Sequence, residues 1–205
     1  MSTQTPSDPQ TTTLCLVRHG ETDWNLTYRY QGTTDIPMNE TGRAQARSVA
    51  GALGGEPWNA IVSSPLSRAM ETARAIAATT GIETIEEDRD LQERGYGEAE
   101  GLTLVEREKV WPDADWPGLE SWDDVATRTM TAIERIAANH PGERVLVVCH
   151  GGVINSILAV LSENELGTGK TVILNTSLTT LTKRDDGWTI GTVNDAGHLE
   201  AVAAD

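Results

Sequence analysis

Two histidines follow short apolar runs at distant points of the chain, and each run ends in residues suited to chemistry on an anion. Residues 14–17 lead into Arg18 and His19, and residues 145–149 lead into His150. Apolar runs of this length that end beside glycine are typical of buried strands. In open α/β sheets, ligands bind just beyond the carboxyl ends of the strands. The sequence therefore predicts that both histidines reach one site.

Arginine, histidine and carboxylate side chains can together transfer a phosphoryl group. The guanidinium forks of Arg18 and Arg68 match the oxygens of a tetrahedral anion. A neutral His19 can attack phosphorus, while a cationic His150 can hold the equatorial oxygens of the transition state. The acid that protonates the departing alkoxide is predicted to be Glu93. These residues predict transfer of a phosphoryl group through a phosphohistidine.

Each of these residues also has a simpler structural explanation. A histidine at a strand end is more often structural, and Arg68 falls in the first turn of a predicted helix, where arginines are commonly solvated. Glu93 lies among other acids, as in many solvated faces. The joint pattern nevertheless favours a site. Gly151 adds a backbone N–H at a predicted helix N-terminus, where anions bind well.

Strand and helix patterns alternate along the chain. They predict an α/β fold: a three-layer sandwich with a mainly parallel central sheet, an antiparallel strand, and helices on both faces. Predicted helices cover residues 39–53, 64–80, 103–111, 121–139 and 153–161. Predicted strands cover residues 14–17, 60–63, 82–85, 145–149, 171–174, 178–183 and 188–193. The predicted organisation is a disordered tail (1–12), one domain (13–195) and a C-terminal tail (196–205).

Composition limits the classes of partner. The 205 residues carry a formal net charge of −15, which disfavours nucleic acid and anionic membrane surfaces. No apolar run approaches the roughly 20 residues of a membrane span. Cys15 and Cys149 lie within predicted strands, which favours two buried thiols in a reducing cytoplasm over a disulfide or a metal site.

Four blocks in a fixed order resemble the signature of the histidine phosphatase superfamily, the phosphoglycerate mutase-like proteins. The blocks are residues 18–25, residues 63–69, Glu93, and residues 149–152. The resemblance covers nearly the whole chain and implies that His19 is the phosphorylated nucleophile and Glu93 the proton donor.

The same resemblance implies a phosphate pocket and a substrate loop. Arg18, Arg68 and His150 would form the pocket, with Asn25 assisting. Gln31 and Gly32 fall where the family's first loop lines the substrate site. Family members need no metal for this chemistry, and we expect no cofactor.

The family contains both phosphatases and mutases. Residues 93–97 look similar to the mutase block, but residues 102–120 are short and offer only Arg107 and Lys109 among several acids. A phosphoglycerate carries about three negative charges at neutral pH, and holding it between steps needs more cations. Tyr28, Tyr30 and the tryptophans suit a partly apolar leaving group, although the tryptophans could equally cover the core.

We therefore predict a metal-independent phosphatase that acts on a small phosphorylated metabolite. The first alternative is a cofactor-dependent phosphoglycerate mutase. The second is a catalytically silent relative that binds an anion or a protein, although an intact set of catalytic residues argues against it. The sequence leaves the physiological substrate and the oligomeric state open.

Overall fold

Strands and helices alternate in the computed structural model, which describes residues 11–199. The strands are β1 (Thr12–Arg18), β2 (Ala60–Ser63), β3 (Ile85–Glu87), β4 (Arg144–Cys149), β5 (Leu178–Arg184) and β6 (Gly187–Ile190). The α-helices are α1 (Asp23–Leu26), α2 (Glu40–Leu53), α3 (Ser67–Thr80), α4 (Leu104–Val110), α5 (Trp122–Asn139) and α6 (Gly151–Leu161). Short 3₁₀ helices cover Arg89–Leu91, Gly97–Ala99 and Gly197–Leu199.

The described strands form one sheet in the order β3-β2-β4-β1-β5-β6. The first four run parallel, whereas β5 and β6 run antiparallel to their neighbours. The predicted fold class is therefore confirmed. The register places Arg18 of β1 opposite Cys149 of β4, and the His19 backbone N–H donates to the Cys149 carbonyl at 3.0 Å. The two histidines that follow these strands consequently leave the sheet side by side.

Two apolar clusters pack on opposite faces of the sheet and complete the three layers. Because side chains alternate along a strand, neighbouring residues of β1 enter different clusters. Leu16 packs in one cluster with Ile133 of α5 and Ile157 of α6. Val17 packs in the other cluster with residues of α2 and α3, including Val49. Burying each such side chain contributes about 1.5–3 kcal/mol, so the strand ends that carry the histidines are firmly held.

The two cysteines are free thiols on opposite faces of the sheet. Cys15 belongs to the cluster beneath α2 and α3, and Cys149 belongs to the cluster beneath α5 and α6. Burial raises the pKa of the Cys15 thiol to about 12 and raises the pKa of Cys149 still further. Both therefore behave as small apolar core residues with no tendency to form thiolates.

Side chains cap several helices where the sequence predicts them. Asn39 accepts a hydrogen bond from the Gly42 N–H at 2.8 Å and opens α2, and Ser121 accepts one from the Asp124 N–H at 3.0 Å and opens α5. Thr103 begins α4, as its predicted helix range implies, through a capping box with Glu106. None of the helices in the described part of the chain has the length and apolarity needed to cross a bilayer.

The start of α3 differs from the prediction. The helix begins at Ser67 instead of at residues 64–65, and its N-cap residue makes no side-chain hydrogen bond. Ser64 is fully buried, and its hydroxyl contacts the His150 ring instead of capping a helix. A local sequence pattern could not reveal this, because the contact joins segments that are far apart in the chain.

Two predicted strands are also placed differently. Strand β3 covers Ile85–Glu87 and not residues 82–85, because only the later segment pairs with β2, at one edge of the sheet. Residues 171–174 form no strand at all. The backbone of this segment instead binds a side chain: the Ile173 carbonyl accepts a hydrogen bond from Arg18 Nη1 at 2.6 Å.

The ends of the described chain extend the predicted domain slightly. Thr12 was predicted to belong to the N-terminal tail, but it is the buried first residue of β1. Beyond the predicted end of the domain, the His198 carbonyl accepts a hydrogen bond from Ser48 of α2 at 2.6 Å. The remaining parts of the predicted tails, residues 1–10 and 200–205, lie outside the described residues.

Candidate active site

The carboxyl ends of β1 and β4 open onto a cavity of about 140 Å³. Seven of the nine predicted site residues line this cavity. The other two follow β4 and lie close to lining residues: the His150 ring centroid is 5.1 Å from that of His19, and a Cβ atom on Gly151 would be 3.5 Å from Arg18 Nε. The lining residues are Arg18, His19, Asn25, Arg29, Tyr30, Gln31, Gly32, Arg68, Glu93 and Tyr96. A larger cavity of about 490 Å³ between α5 and α6 contains none of the predicted residues, so size alone does not identify the site.

His19 is buried with its Nδ1 atom 2.7 Å from the Gly20 carbonyl oxygen. A carbonyl can only accept a hydrogen bond, so this contact assigns the ring hydrogen to Nδ1. Burial, reinforced by the positive charges of Arg68 and Arg18, lowers the pKa of His19 well below its ordinary value. The ring is therefore neutral near pH 7, and the lone pair on Nε2 is available as a nucleophile.

The backbone around His19 is held from two directions. A Cβ atom on Gly20 would lie 2.4 Å from the Gly42 carbonyl oxygen, so a glycine is required where the loop packs against α2. From the other side, Asn175 Nδ2 donates to the His19 carbonyl at 2.9 Å. Sequence reasoning missed Asn175, because its segment carries only a β-rich pattern and no sign of this distant contact.

The His150 ring lies behind His19, with the ring centroids 5.1 Å apart. Its Nε2 atom is 2.8 Å from Ser64 Oγ, which accepts a longer hydrogen bond from the Leu66 N–H. Ser64 can thus donate to Nε2, which leaves the ring hydrogen on the buried Nδ1. Burial and the charge of Arg68 lower the pKa of His150 well below its ordinary value. These surroundings favour a neutral N–H donor over the predicted cation.

The two arginines are anchored by backbone carbonyls. Arg18 Nη1 donates to Ile173, and Arg68 donates through Nη1 to Thr34 at 2.9 Å and through Nη2 to Gly32 at 2.8 Å. Burial lowers the pKa of each arginine, but a guanidinium keeps its charge in proteins. Among the described residues, neither buried Nε atom has a hydrogen-bond partner. Two fixed cations therefore retain unused N–H groups.

Two backbone N–H groups fix the Glu93 carboxylate. Its Oε1 atom accepts from the Arg94 N–H at 2.8 Å, and its Oε2 atom accepts from the Gly152 N–H at 3.1 Å. Helix α6 begins at Gly151, two residues earlier than predicted, which brings its first turn to this carboxylate. A Cβ atom on Gly152 would lie 2.3 Å from Glu93 Oε1, so the contact requires glycine.

The loop after β1 carries the three remaining predicted residues. Asn25 Oδ1 accepts a hydrogen bond from the Thr22 N–H at 3.1 Å, and Thr22 Oγ1 donates to Gln31 Oε1 at 2.9 Å. These bonds tie the two amide side chains to one buried threonine. Gly32 contributes its backbone carbonyl to Arg68. The loop therefore shapes the cavity wall and supports one of its cations.

Aromatic residues form another part of the wall. The rings of Tyr30 and Tyr96 lie 4.8 Å apart, and both residues line the cavity. Trp116 is buried behind them and donates from Nε1 to the Tyr96 carbonyl at 2.7 Å. Tyr28 does not line the cavity and is 86% exposed. Tyr96, which was not predicted, is thus a wall residue, whereas Trp116 supports the wall from the core.

A nucleophilic nitrogen, unused N–H donors and an anchored carboxylate therefore surround one small cavity. The nitrogen can attack phosphorus, the donors can hold the charged oxygens, and the carboxyl group can exchange a proton with the leaving oxygen. Within residues 11–199, no three His, Cys, Asp or Glu side chains are grouped so that they could hold a metal ion.

Comparisons with known proteins identify the family of this chain. The model of the histidine phosphatase superfamily (branch 1) matches residues 14–196. The chain is 39% identical over 188 residues to the uncharacterized phosphatase PhoE of Bacillus subtilis, covering 92% of this chain and 97% of the relative. It is 41% identical over 201 residues to phosphoglycerate mutase-like protein 4 of Arabidopsis thaliana, covering 91% and 86%. It is 39% identical over 208 residues to a metal-independent phosphoserine phosphatase of Arabidopsis thaliana, covering 95% and 86%.

Solved structures show the same fold. Bacillus stearothermophilus YhfR superposes with a TM-score of 0.85 at 31% identity, covering 92% of this chain and 99% of its own. A mycobacterial glucosyl-3-phosphoglycerate phosphatase, solved with VO3, superposes with a TM-score of 0.81 at 31% identity, covering 90% and 99%. The family model, the similar sequences and the solved structures each match nearly the whole chain. This protein therefore belongs to the histidine phosphatase superfamily.

Proposed function

We propose that this enzyme is a metal-independent phosphomonoesterase that hydrolyses a small phosphorylated metabolite through a phosphohistidine on His19. One observation carries the proposal. The neutral His19 ring, with its hydrogen on Nδ1, lines the same cavity as Arg18 and Arg68, and its centroid is 5.1 Å from that of His150. Buried N–H groups of these three residues have no partner among the described residues. Leaving such donors unpaired costs about 1–3 kcal/mol each, and phosphoryl oxygens would satisfy them.

In the first step, His19 Nε2 attacks phosphorus as the bond from phosphorus to the ester oxygen breaks. The N–H groups of Arg18 and Arg68 receive the charge of the phosphoryl oxygens. Glu93, in its acid form, transfers its proton to the departing oxygen, so that an alcohol leaves. The Nδ1–H bond to the Gly20 carbonyl supports the positive charge that develops on the ring.

In the second step, water attacks the phosphohistidine and the bond between nitrogen and phosphorus breaks. The Glu93 carboxylate takes a proton from the water, which restores its acid form. His19 returns to its neutral tautomer, and inorganic phosphate leaves. The two backbone N–H groups that hold Glu93 keep the same carboxylate in place for both proton transfers.

The structure of residues 102–120 supports hydrolysis over mutase activity. Arg107 is buried, lies 5.2 Å from the Trp116 ring centroid, and donates to the Trp111 carbonyl at 3.3 Å. Arg107 therefore makes its contacts within the core, and Lys109 is the other cation of residues 102–120. Mutase activity stays the second candidate, because residues 93–97 resemble the mutase block and several relatives are named as phosphoglycerate mutases or mutase-like proteins.

The substrate class also has support from the relatives. One is named for phosphoserine and one solved structure for glucosyl-3-phosphoglycerate, and both compounds are phosphomonoesters of small metabolites. The buried free thiols of Cys15 and Cys149 fit a reducing cytoplasm, where we place the reaction.

A panel of phosphomonoesters tests this function. Phosphate release is measured with a chelator present, beside mutase turnover of 3-phosphoglycerate with a bisphosphate primer. We expect hydrolysis of at least one small ester to exceed mutase turnover. Faster mutase turnover would establish the alternative, and phosphate release that depends on added metal would contradict the proposed mechanism.

A further inference from the structure

One guanidinium holds the backbone segment that carries Glu93. Arg128, in α5, donates through Nη1 to the carbonyls of Asp90 and Gln92, both at 2.7 Å. It also donates through Nη2 to the Glu93 carbonyl at 3.2 Å. Arg128 therefore fixes this segment on the amino-terminal side of the Glu93 side chain.

Glu120 extends the same support to the other side of Glu93. Its carboxylate accepts from Arg128 Nε at 2.6 Å and from Nη2 at 3.0 Å. Its Oε2 atom also accepts from the Gly95 N–H at 2.9 Å, and its backbone carbonyl accepts from Arg94 Nε at 2.8 Å. Arg128 and Glu120 thus hold the backbone through hydrogen bonds on both sides of Glu93.

The Arg128–Glu120 pair is less exposed and makes more hydrogen bonds than an ordinary surface ion pair. The Arg128 side chain is 19% exposed and the Glu120 side chain 23% exposed, so water screens the pair only partly. The planar fork of Arg128 meets three carbonyl oxygens and a carboxylate at once, and a lysine ammonium cannot reproduce this arrangement.

We propose that Arg128, oriented by Glu120, is a positioning residue for the proton donor. The inference rests on the proposed role of Glu93. The Glu93 carboxylate itself is held by the N–H groups of Arg94 and Gly152, which belong to different elements. Its position relative to α6 therefore depends on how the 90–95 segment sits on α5. Displacing a reacting group by about 1 Å can cost about 100-fold in rate.

Two esters distinguish positioning of the acid from general support of the fold. An alkyl phosphate needs its leaving oxygen protonated, whereas an aryl phosphate such as p-nitrophenyl phosphate hardly does. We expect Arg128→Lys to lower kcat/KM, which reports the step that phosphorylates His19, about tenfold or more for the alkyl ester and less than about threefold for the aryl ester. Glu120→Gln, which keeps the shape of the side chain, should act in the same direction more weakly.

Arg135 provides a matched control on the same helix. Its Nη2 atom pairs with the carboxylates of Asp88 and Asp90 at 2.6 and 2.8 Å, and it makes no bond to the backbone of the 90–95 segment. Arg135→Lys should therefore change neither ester selectively. Binding of inorganic phosphate, measured in each variant, should stay within about twofold, because the two buried arginines hold the anion.

A double variant completes the test. If Arg128 acts through Glu93, adding Arg128→Lys to Glu93→Gln should change kcat/KM for the alkyl ester by less than about twofold. Equal slowing of both esters by Arg128→Lys, or additive losses in the double variant, would overturn the inference and leave the role of Glu93 intact. Equal slowing of both esters by Glu93→Gln alone would overturn the role of Glu93 and the inference together. Should Arg128→Lys fail to fold, Glu120→Gln decides by the same criteria.

Discussion

The two sides of the proposed catalytic cavity are built from different kinds of structure. On the phosphoryl side, His19 and His150 follow the paired strands β1 and β4, and Arg68 is completely buried. On the leaving-group side, Tyr30, Tyr96 and Glu93 belong to loops and are only partly buried. The sheet and its core thus position the groups that we propose act on phosphorus, whereas loops shape the space that we propose for the leaving group.

Because of this difference, the structure indicates the type of reaction more directly than it indicates the identity of the substrate. Every substrate of such a site presents the same phosphoryl group, so the buried side must be built in one way. The loop side can vary without disturbing the sheet. Changes on the phosphoryl side should therefore slow every ester alike, and changes on the loop side should slow some esters more than others.

The largest expected effect comes from His19→Asn. Asparagine can still donate to the Gly20 carbonyl but has no nucleophilic nitrogen. Loss of a covalent nucleophile costs about 10⁴-fold or more in kcat, and we expect this loss for alkyl and aryl esters alike. Steady-state phosphate release measures it, with inorganic phosphate binding as the control for an intact pocket. Residual activity within about tenfold of the parent would contradict the role of His19.

Glu93→Gln should have the next largest effect, and a selective one. We expect kcat/KM for an alkyl phosphate, which reports the step that phosphorylates His19, to fall about 100-fold, because the leaving oxygen loses its proton donor. The kcat/KM of an aryl phosphate should fall far less. Glu93→Ala serves as a second variant, since it places no amide opposite the Gly152 N–H. Equal losses of kcat/KM for both esters would show that Glu93 is not the acid.

Tyr30 and Tyr28 provide a matched pair on the loop side. Tyr30 lines the cavity, whereas Tyr28 is exposed outside it. Tyr30→Leu should change the ratio of kcat/KM between two esters with different leaving groups by about tenfold, a range typical of a single pocket contact. Tyr28→Leu should leave that ratio within about twofold. A larger change from Tyr28 than from Tyr30 would place the leaving group elsewhere.

The smallest expected effect concerns stability and pH. Burial lowers the pKa of His19 well below its ordinary value of 6.5. Below pH 6.5 the unfolded chain therefore binds a proton at this residue that the folded protein does not, and stability falls as the pH falls. Between pH 7.5 and 5.5 this contribution amounts to about 1 kcal/mol. Between these two pH values, the free energy of unfolding in urea should change by about 1 kcal/mol less in His19→Asn than in the parent protein. An identical pH dependence in the two proteins would contradict a buried neutral ring.

The phosphoryl side was also the easier side to predict from the sequence. Apolar runs that end at Arg18, His19 and His150 reveal strand ends, and the resemblance to a family adds Asn25 and Gln31. The predicted helix start at Ser64 failed for a physical reason: the same residue type can cap a helix or contact a distant ring, and the local pattern is the same.

Contacts between distant segments account for most of what sequence reasoning missed. Asn175 reaches the His19 carbonyl from a segment that reads as a strand, and Arg128 reaches the Glu93 backbone from the middle of an amphipathic helix. A polar residue on a helix has the same local signal whether it meets water or a backbone carbonyl. Only the packing of α5 against the 90–95 segment distinguishes the two cases.

Trapping of the covalent intermediate tests the central claim most directly. The Glu93→Gln variant is mixed rapidly with an aryl phosphate and quenched under alkaline denaturing conditions, and the peptides are mapped by mass spectrometry. Because this variant lacks the base that activates water, a phosphoryl group should accumulate on His19 and be absent when His19 is also replaced by Asn. A burst of the aryl alcohol with no phosphoryl group on His19, or with the group on another residue, would contradict the mechanism.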